Sequence, residues 1–161
     1  MKKFSITVIL LLVLSACGQE TVTHQHEEKE AVQSHVSGDI QEVTTGPEIL
    51  PSFLDDKNET IRLSYQVAAN YSDVLEWVPC YCGCGDSVGH RNNLNCFIQE
   101  RHADGTITWD DHGTRCNVCI EIAIQAAQMS KDGVELKDIR EKIDSMYKEG
   151  YATPTNTEMP A

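Results

Sequence analysis

Hydrophobic positions divide the chain into stretches with different periods. Phe4 to Leu14 is an almost unbroken apolar run behind Lys2 and Lys3. From Gly18 to about Glu48, apolar residues are scattered among Gln, Glu, Thr and Ser without helical or strand period. A segment of that kind buries too little to hold itself folded and reads as a disordered tether. Periodicity starts beyond it. Ile61, Tyr65, Ala68 and Ala69 recur near helical spacing behind Asn58, a good N-cap, and predict a helix from Glu59 to about Asn70 with room to run on to Leu75. A second helix is predicted from Arg115 to Lys131, capped by Thr114 and stopped at Asp132-Gly133, with Val118, Ile122, Ala126 and Met129 on one face. A third, from about Glu135 to Lys148, aligns Leu136, Ile139, Ile143 and Met146 or Tyr147.

The intervening segments are less regular. Pro79 closes whatever precedes it, and Pro79 to His90, rich in Gly and Cys, reads as a loop. Leu94 to Gln99 suits a short helix or a strand, and Thr106 to Trp109 a brief strand or extended link. Tyr151 to Ala161 reads as a frayed tail. The expectation is therefore a mostly α fold, a small helical domain of three to four helices around a cysteine-rich loop. It would occupy residues 49–152, after a signal at 1–16 and a tether at 17–48, and before a flexible tail at 153–161.

The first residues set the compartment. The apolar run covers about 11 positions, short of the roughly 20 that a helix needs to cross a bilayer, so it reads as an export signal and not a span. Leu14-Ser15-Ala16-Cys17 ends it with small residues leading into a cysteine. That tetrapeptide resembles the lipobox of bacterial lipoproteins, in which the cysteine thiol receives a diacylglyceryl group and becomes the first mature residue. Cys17 is thus the expected attachment point to the lipid bilayer, on the extracytoplasmic face, and two acyl chains anchor stably where one does not. A plain secreted protein with a chance cysteine after its signal is the alternative.

Charge narrows the partners. The chain carries 25 Asp and Glu against 13 Lys and Arg, a net charge of −12, and losing Lys2 and Lys3 with the signal makes it more negative still. No basic cluster exists to neutralise phosphates, so nucleic acid is excluded as a partner. Cations fit better. His24, His26 and His35 lie in the tether, where their positions are not preorganised and solvated imidazoles are the expected reading.

The chemistry is concentrated in cysteine. Cys80, Cys82 and Cys84 sit at every second position of Pro79-Cys80-Tyr81-Cys82-Gly83-Cys84-Gly85, which in an extended segment turns all three toward one side. Gly83 and Gly85 let the loop curl so that the sulfurs converge. Disulfides within so tight a spacing have difficult geometry. Cys116 and Cys119 stand three apart at the start of a predicted helix, whose first turn favours thiolate over thiol. Cys96 brings the cysteines beyond Cys17 to six, and His90 adds a nitrogen donor. His102 and His112 are further candidates from the same stretch.

Pro79-Cys80-Tyr81-Cys82-Gly83-Cys84, Gly89-His90, Cys96-Phe97-Ile98, Trp109, His112-Gly113 and Cys116-Asn117-Val118-Cys119 together resemble the PCYCGC-motif lipoproteins of Bacillus-type bacteria. The six-residue motif is highly specific, and the resemblance runs from about Tyr65 to Tyr147, with the lipobox in addition. It implies a Gram-positive source and a surface location. It implies no chemistry, since those exported lipoproteins are uncharacterised.

The residues themselves point to a soft cation. Zn(II) takes four tetrahedral ligands from Cys and His, while Cu(I) needs fewer thiolates per ion and tolerates sulfur bridging. Composition does not separate the two. The crowded alternate-cysteine loop is closer to sulfur-rich copper sites than to a zinc knuckle, so Cu(I) is the expected cofactor and Zn(II) the alternative. A metal donor or acceptor protein would then be a partner. Two other readings stand beside this one. Six cysteines outside the cell can form three disulfides that staple a small core. Cys116 and Cys119 also match a thiol oxidoreductase pair, but lack the βαβ context of one. No nucleophile elbow, phosphate loop or zinc-protease helix appears, so a binding role and not an enzyme is expected. Asp110, Asp111 and His112 read as a solvated loop, and Met129 and Met146 as core filler.

Overall fold

Asn58 accepts a hydrogen bond from the Ile61 amide at 3.0 Å through Oδ1, a cap worth about 1 kcal/mol. It starts α1, Glu59–Asn70, in the computed structural model, which describes residues 38–161. A tight turn at Tyr71 leads into the short α2, Ser72–Leu75. The five α-helices among the described residues are completed by α3, Cys84–Val88, α4, Asn117–Lys131, and α5, Leu136–Tyr147. The protein is mostly helical, as its periodicity predicts. α4 is the central helix and packs against α1, α2 and α5.

A three-stranded antiparallel sheet lies beside the helices, in the order β1, Gln41–Thr44, then β3, Ile107–Asp110, then β2, Ile98–Arg101. Gln41 stands opposite Asp110 and Thr44 opposite Ile107, while Ile98 stands opposite Trp109. The core between sheet and helices is built on Trp109, Tyr65 and Phe97, all fully buried. Tyr65 meets Phe97 edge-on with ring centroids 5.2 Å apart, a favoured aromatic geometry. Its hydroxyl donates to the Asp110 carbonyl at 2.7 Å, so the ring pins the end of β3.

Several expectations need correcting. The fold does not begin at Ile49: β1 falls in the stretch assigned to the tether, and Asp39, Glu42 and Thr44 are buried there. The Trp109 indole N–H donates to Thr44 Oγ1 at 2.8 Å, and the Glu42 carboxylate accepts from the Ser52 amide and hydroxyl. Residues 153–161 are not a loose tail. The Ala152 and Thr155 amides donate to the carbonyls of Tyr81 and Cys80, each at 3.1 Å. Buried Arg140 donates to the carbonyls of Trp77, Thr157 and Glu158. Thr114 does not cap α4; its hydroxyl turns back to the Asp111 carbonyl within a 3-10 turn, and Cys116 takes the cap position. The expected export signal, Cys17 and most of the expected tether, with His24, His26 and His35, lie outside the described residues. Among the described residues no helix is long and apolar enough to cross a membrane.

Candidate metal centre

The cysteine loop enters the core behind Val78 and Pro79 and keeps Cys80 and Cys82 on one side, as alternation predicts. Their sulfurs are 3.0 Å apart. Gly83 then adopts φ 87° and starts α3, whose first residue is Cys84, so the segment assigned to loop contains a helical turn. Left-handed backbone is natural to glycine, and this turn sets Cys84 beside His112 while its sulfur stays near those of Cys80 and Cys82. Gly85 has a separate duty, since a Cβ there would come within 2.7 Å of Thr155 Cγ2 in the C-terminal segment.

Cys119, in the first turn of α4, is the hub. Its sulfur lies 3.1 Å from Cys96, 3.3 Å from Cys116, 3.5 Å from Cys82 and 3.7 Å from Cys80. Cys80, Cys82, Cys96 and Cys119 have all four sulfurs mutually within 4.8 Å. Four thiolates at about 2.3 Å around a tetrahedral ion stand about 3.8 Å from one another. The group therefore matches a soft-cation site after a small outward spread. Cys96 reaches it from a 3-10 turn, Asn93–Cys96, packed so closely on the next that Gly113 is required. A Cβ at Gly113 would meet the Phe97 ring at 2.7 Å and the Cys96 carbonyl at 2.8 Å.

Cys84 forms a second group with His90 and Cys96, their donor atoms again within 4.8 Å of one another. Its sulfur is 2.9 Å from His112 Nε2, and His90 Nδ1 is 3.3 Å from the Cys96 sulfur. The two imidazoles meet edge-on, with ring centroids 4.9 Å apart. The opposite nitrogen of His112, Nδ1, lies 3.3 Å from Asp39 Oδ2. Asp39 also pairs with Arg115, which is held in turn by Asp111 at 2.7 Å. Asp110 accepts from the His112 amide at 2.9 Å and from the Gln41 side chain. Asp110 and Asp111 are thus buried structural carboxylates, not the solvated loop that their sequence suggests.

The thiols polarise one another. Contact with Cys119 pulls the Cys80 thiol well below the usual range, and contact with Cys116 does the same for Cys82. Cys116 is lowered to about 7 by Cys119, while Cys116 pushes Cys119 itself far up, and Cys84 likewise. Six thiols this close cannot all ionise without a cation. Burial holds His90 below its ordinary value, so that it stays a neutral donor.

Sequence reasoning named all six cysteines and His90, and the fold brings them to one place. It ranked His112 with His102, and the structure separates them. His112 joins the cluster, whereas His102 bonds Thr108 Oγ1 at 2.8 Å on the β2–β3 hairpin and stays outside. Asp39 was missed, because a single acid in a patternless stretch gives no signal. The sulfurs are free thiols, and pairwise bridges do not describe a cysteine with four sulfur neighbours. The sequence model of a family described as proteins of unknown function with a PCYCGC motif matches residues 6–160. No curated protein and no solved structure matches the chain.

Proposed function

Since the chain belongs to the PCYCGC-motif family, we propose a role from the chemistry of its centre: a lipid-anchored extracytoplasmic protein that binds Cu(I) through thiolates, to sequester it or deliver it. The observation that carries this reading is Cys119, whose sulfur touches four others. Bridging thiolates are the means by which a compact sulfur cluster holds Cu(I). The role is binding and not catalysis. Acylated Cys17 would keep the centre at the outer face of the membrane, where a donor or acceptor protein could exchange metal with it.

Zn(II) is the second reading, favoured by the four-sulfur group, which suffices for one tetrahedral ion. Native mass spectrometry of the reduced chain, titrated with Cu(I) and Zn(II) under anoxia, decides between them. The copper reading expects a discrete Cu(I)-loaded species that displaces zinc. One zinc that Cu(I) fails to displace would favour the structural alternative. Replacing Cys82 and Cys84 with Ser together should lower both bound metal and stability, because binding free energy at such a centre is folding free energy. Unchanged metal content in that variant would overturn the assignment.

A further inference from the structure

We infer that the cluster is two cation sites sharing one thiolate: an all-sulfur site of Cys80, Cys82, Cys96 and Cys119, and a mixed site of Cys84, His90 and His112 that uses Cys96 as its bridge. This deepens the soft-metal reading and rests on it. Cys96 is common to both groups of mutually close donors. The turn at Gly83 leads into Cys84 and brings its sulfur onto the His112 ring, 2.9 Å from Nε2.

Three arguments require the second site. The first is ligand count. One tetrahedral ion is satisfied by four sulfurs, which leaves Cys84 and His90 buried in a second group of mutually close donors, partnered by the His112 ring and the Cys96 sulfur. The second is orientation. His112 presents Nε2 to Cys84 and turns Nδ1 to the Asp39 carboxylate. This is the carboxylate–imidazole pairing that fixes the tautomer of a metal-ligating histidine. A site made only of sulfur has no use for it. The third is charge. Four thiolates around one monovalent or divalent cation keep a net negative charge, which is costly to bury. Arg115 is engaged by Asp39 and Asp111, so a second cation on Cys96 is the available neutralisation.

The ligand sets differ in softness. Both sites accept Cu(I) or Zn(II), the all-sulfur set being the softer of the two and the mixed set, with two thiolates and two imidazoles, the harder. The test is metal counting with X-ray absorption on the reduced, metal-free full chain titrated anaerobically with buffered Cu(I), alongside the double variant His90→Gln, His112→Gln. The expected result is at least two ions in the wild type with nitrogen as well as sulfur around copper. The variant should lose at least one ion and its nitrogen signal, yet keep one ion bound by sulfur alone. A wild-type spectrum with sulfur neighbours only would overturn the mixed site and leave the thiolate reading standing, and it needs no variant to fold. Equal ion counts in wild type and variant would have the same force. A wild type that binds no Cu(I) at all would overturn both.

Discussion

Asp39 Oδ2 lies 3.3 Å from His112 Nδ1, although 73 residues separate the two in sequence. The contact joins the start of the described chain to the candidate metal centre, and it gives the segment before β1 a role beyond closing a sheet. Asp39 is 6% exposed, so its carboxylate works in a poorly solvated place where a hydrogen bond to a charged group contributes about 1.5–3 kcal/mol.

Asp39→Asn keeps the volume and removes the charge. Outer partners of metal-bound histidines typically change affinity by about 10- to 100-fold, and a loss of that size is expected for the ion held by His112. Competition titration against a Cu(I) chelator measures it. The ion on the four sulfurs should keep its affinity, because Asp39 touches none of Cys80, Cys82, Cys96 or Cys119. Equal weakening of both ions would show a global effect and would sink the positioning role.

Cys119→Ser and Cys116→Ser should behave differently though the residues share a helix turn. Cys119 touches four sulfurs and is fully buried, whereas Cys116 is half-buried and, though near Cys119 and Cys82, belongs to neither group of mutually close donors that holds Cys96. Losing the hub should weaken metal binding by more than about 100-fold, beyond the usual cost of an outer partner. Losing Cys116 should leave the number of bound ions unchanged and alter the rate at which an external chelator removes them. Stopped-flow transfer kinetics with metal counting on both variants checks this. Equal ion loss in the two variants would count against Cys119 as the hub.

The C-terminal segment predicts a stability effect at a residue with no metal-binding chemistry. Thr155 Oγ1 accepts from the Cys80 amide at 2.9 Å, and the Thr155 amide returns a bond to the Cys80 carbonyl. Thr155→Val keeps the shape and deprives a buried amide of its acceptor, which costs about 1–3 kcal/mol. Denaturant unfolding of the metal-free protein should show that loss as a lower midpoint with an unchanged slope. An unchanged midpoint would mean that the segment merely rests on the loop.

What the sequence discloses and what it hides follow one physical division. α1, α4 and α5 bury apolar side chains at helical period, and their limits come within a few residues of expectation. The cysteines were legible because spacing alone restricts where three sulfurs can point. β1 was hidden because its buried residues are Gln41, Glu42 and Thr44, held by polar bonds to partners more than sixty residues away or across a turn. No apolar alternation marks such a strand. The C-terminal segment was hidden for the same reason, since backbone bonds and Arg140 hold it and not apolar burial.

The same division yields a test of where the folded domain starts. A chain beginning at Ile49 keeps every predicted helix and every cysteine of the centre. It loses β1, and with it the acceptor for the Trp109 indole, the carboxylate that binds Ser52, and Asp39 beside His112. Trp109 is fully buried in the intact protein. Stripped of the strand paired along Ile107–Asp110, β3 becomes an edge open to water, and the indole N–H is left without its partner. The shortened chain should therefore show red-shifted tryptophan emission, a stability loss of several kcal/mol from the combined unpaired groups, and weaker binding of the ion at His112. Asp39→Asn in the full chain separates the causes, since it should reproduce the metal defect without the fluorescence change. Native emission and native stability in the chain that starts at Ile49 would return residues 41–44 to the tether.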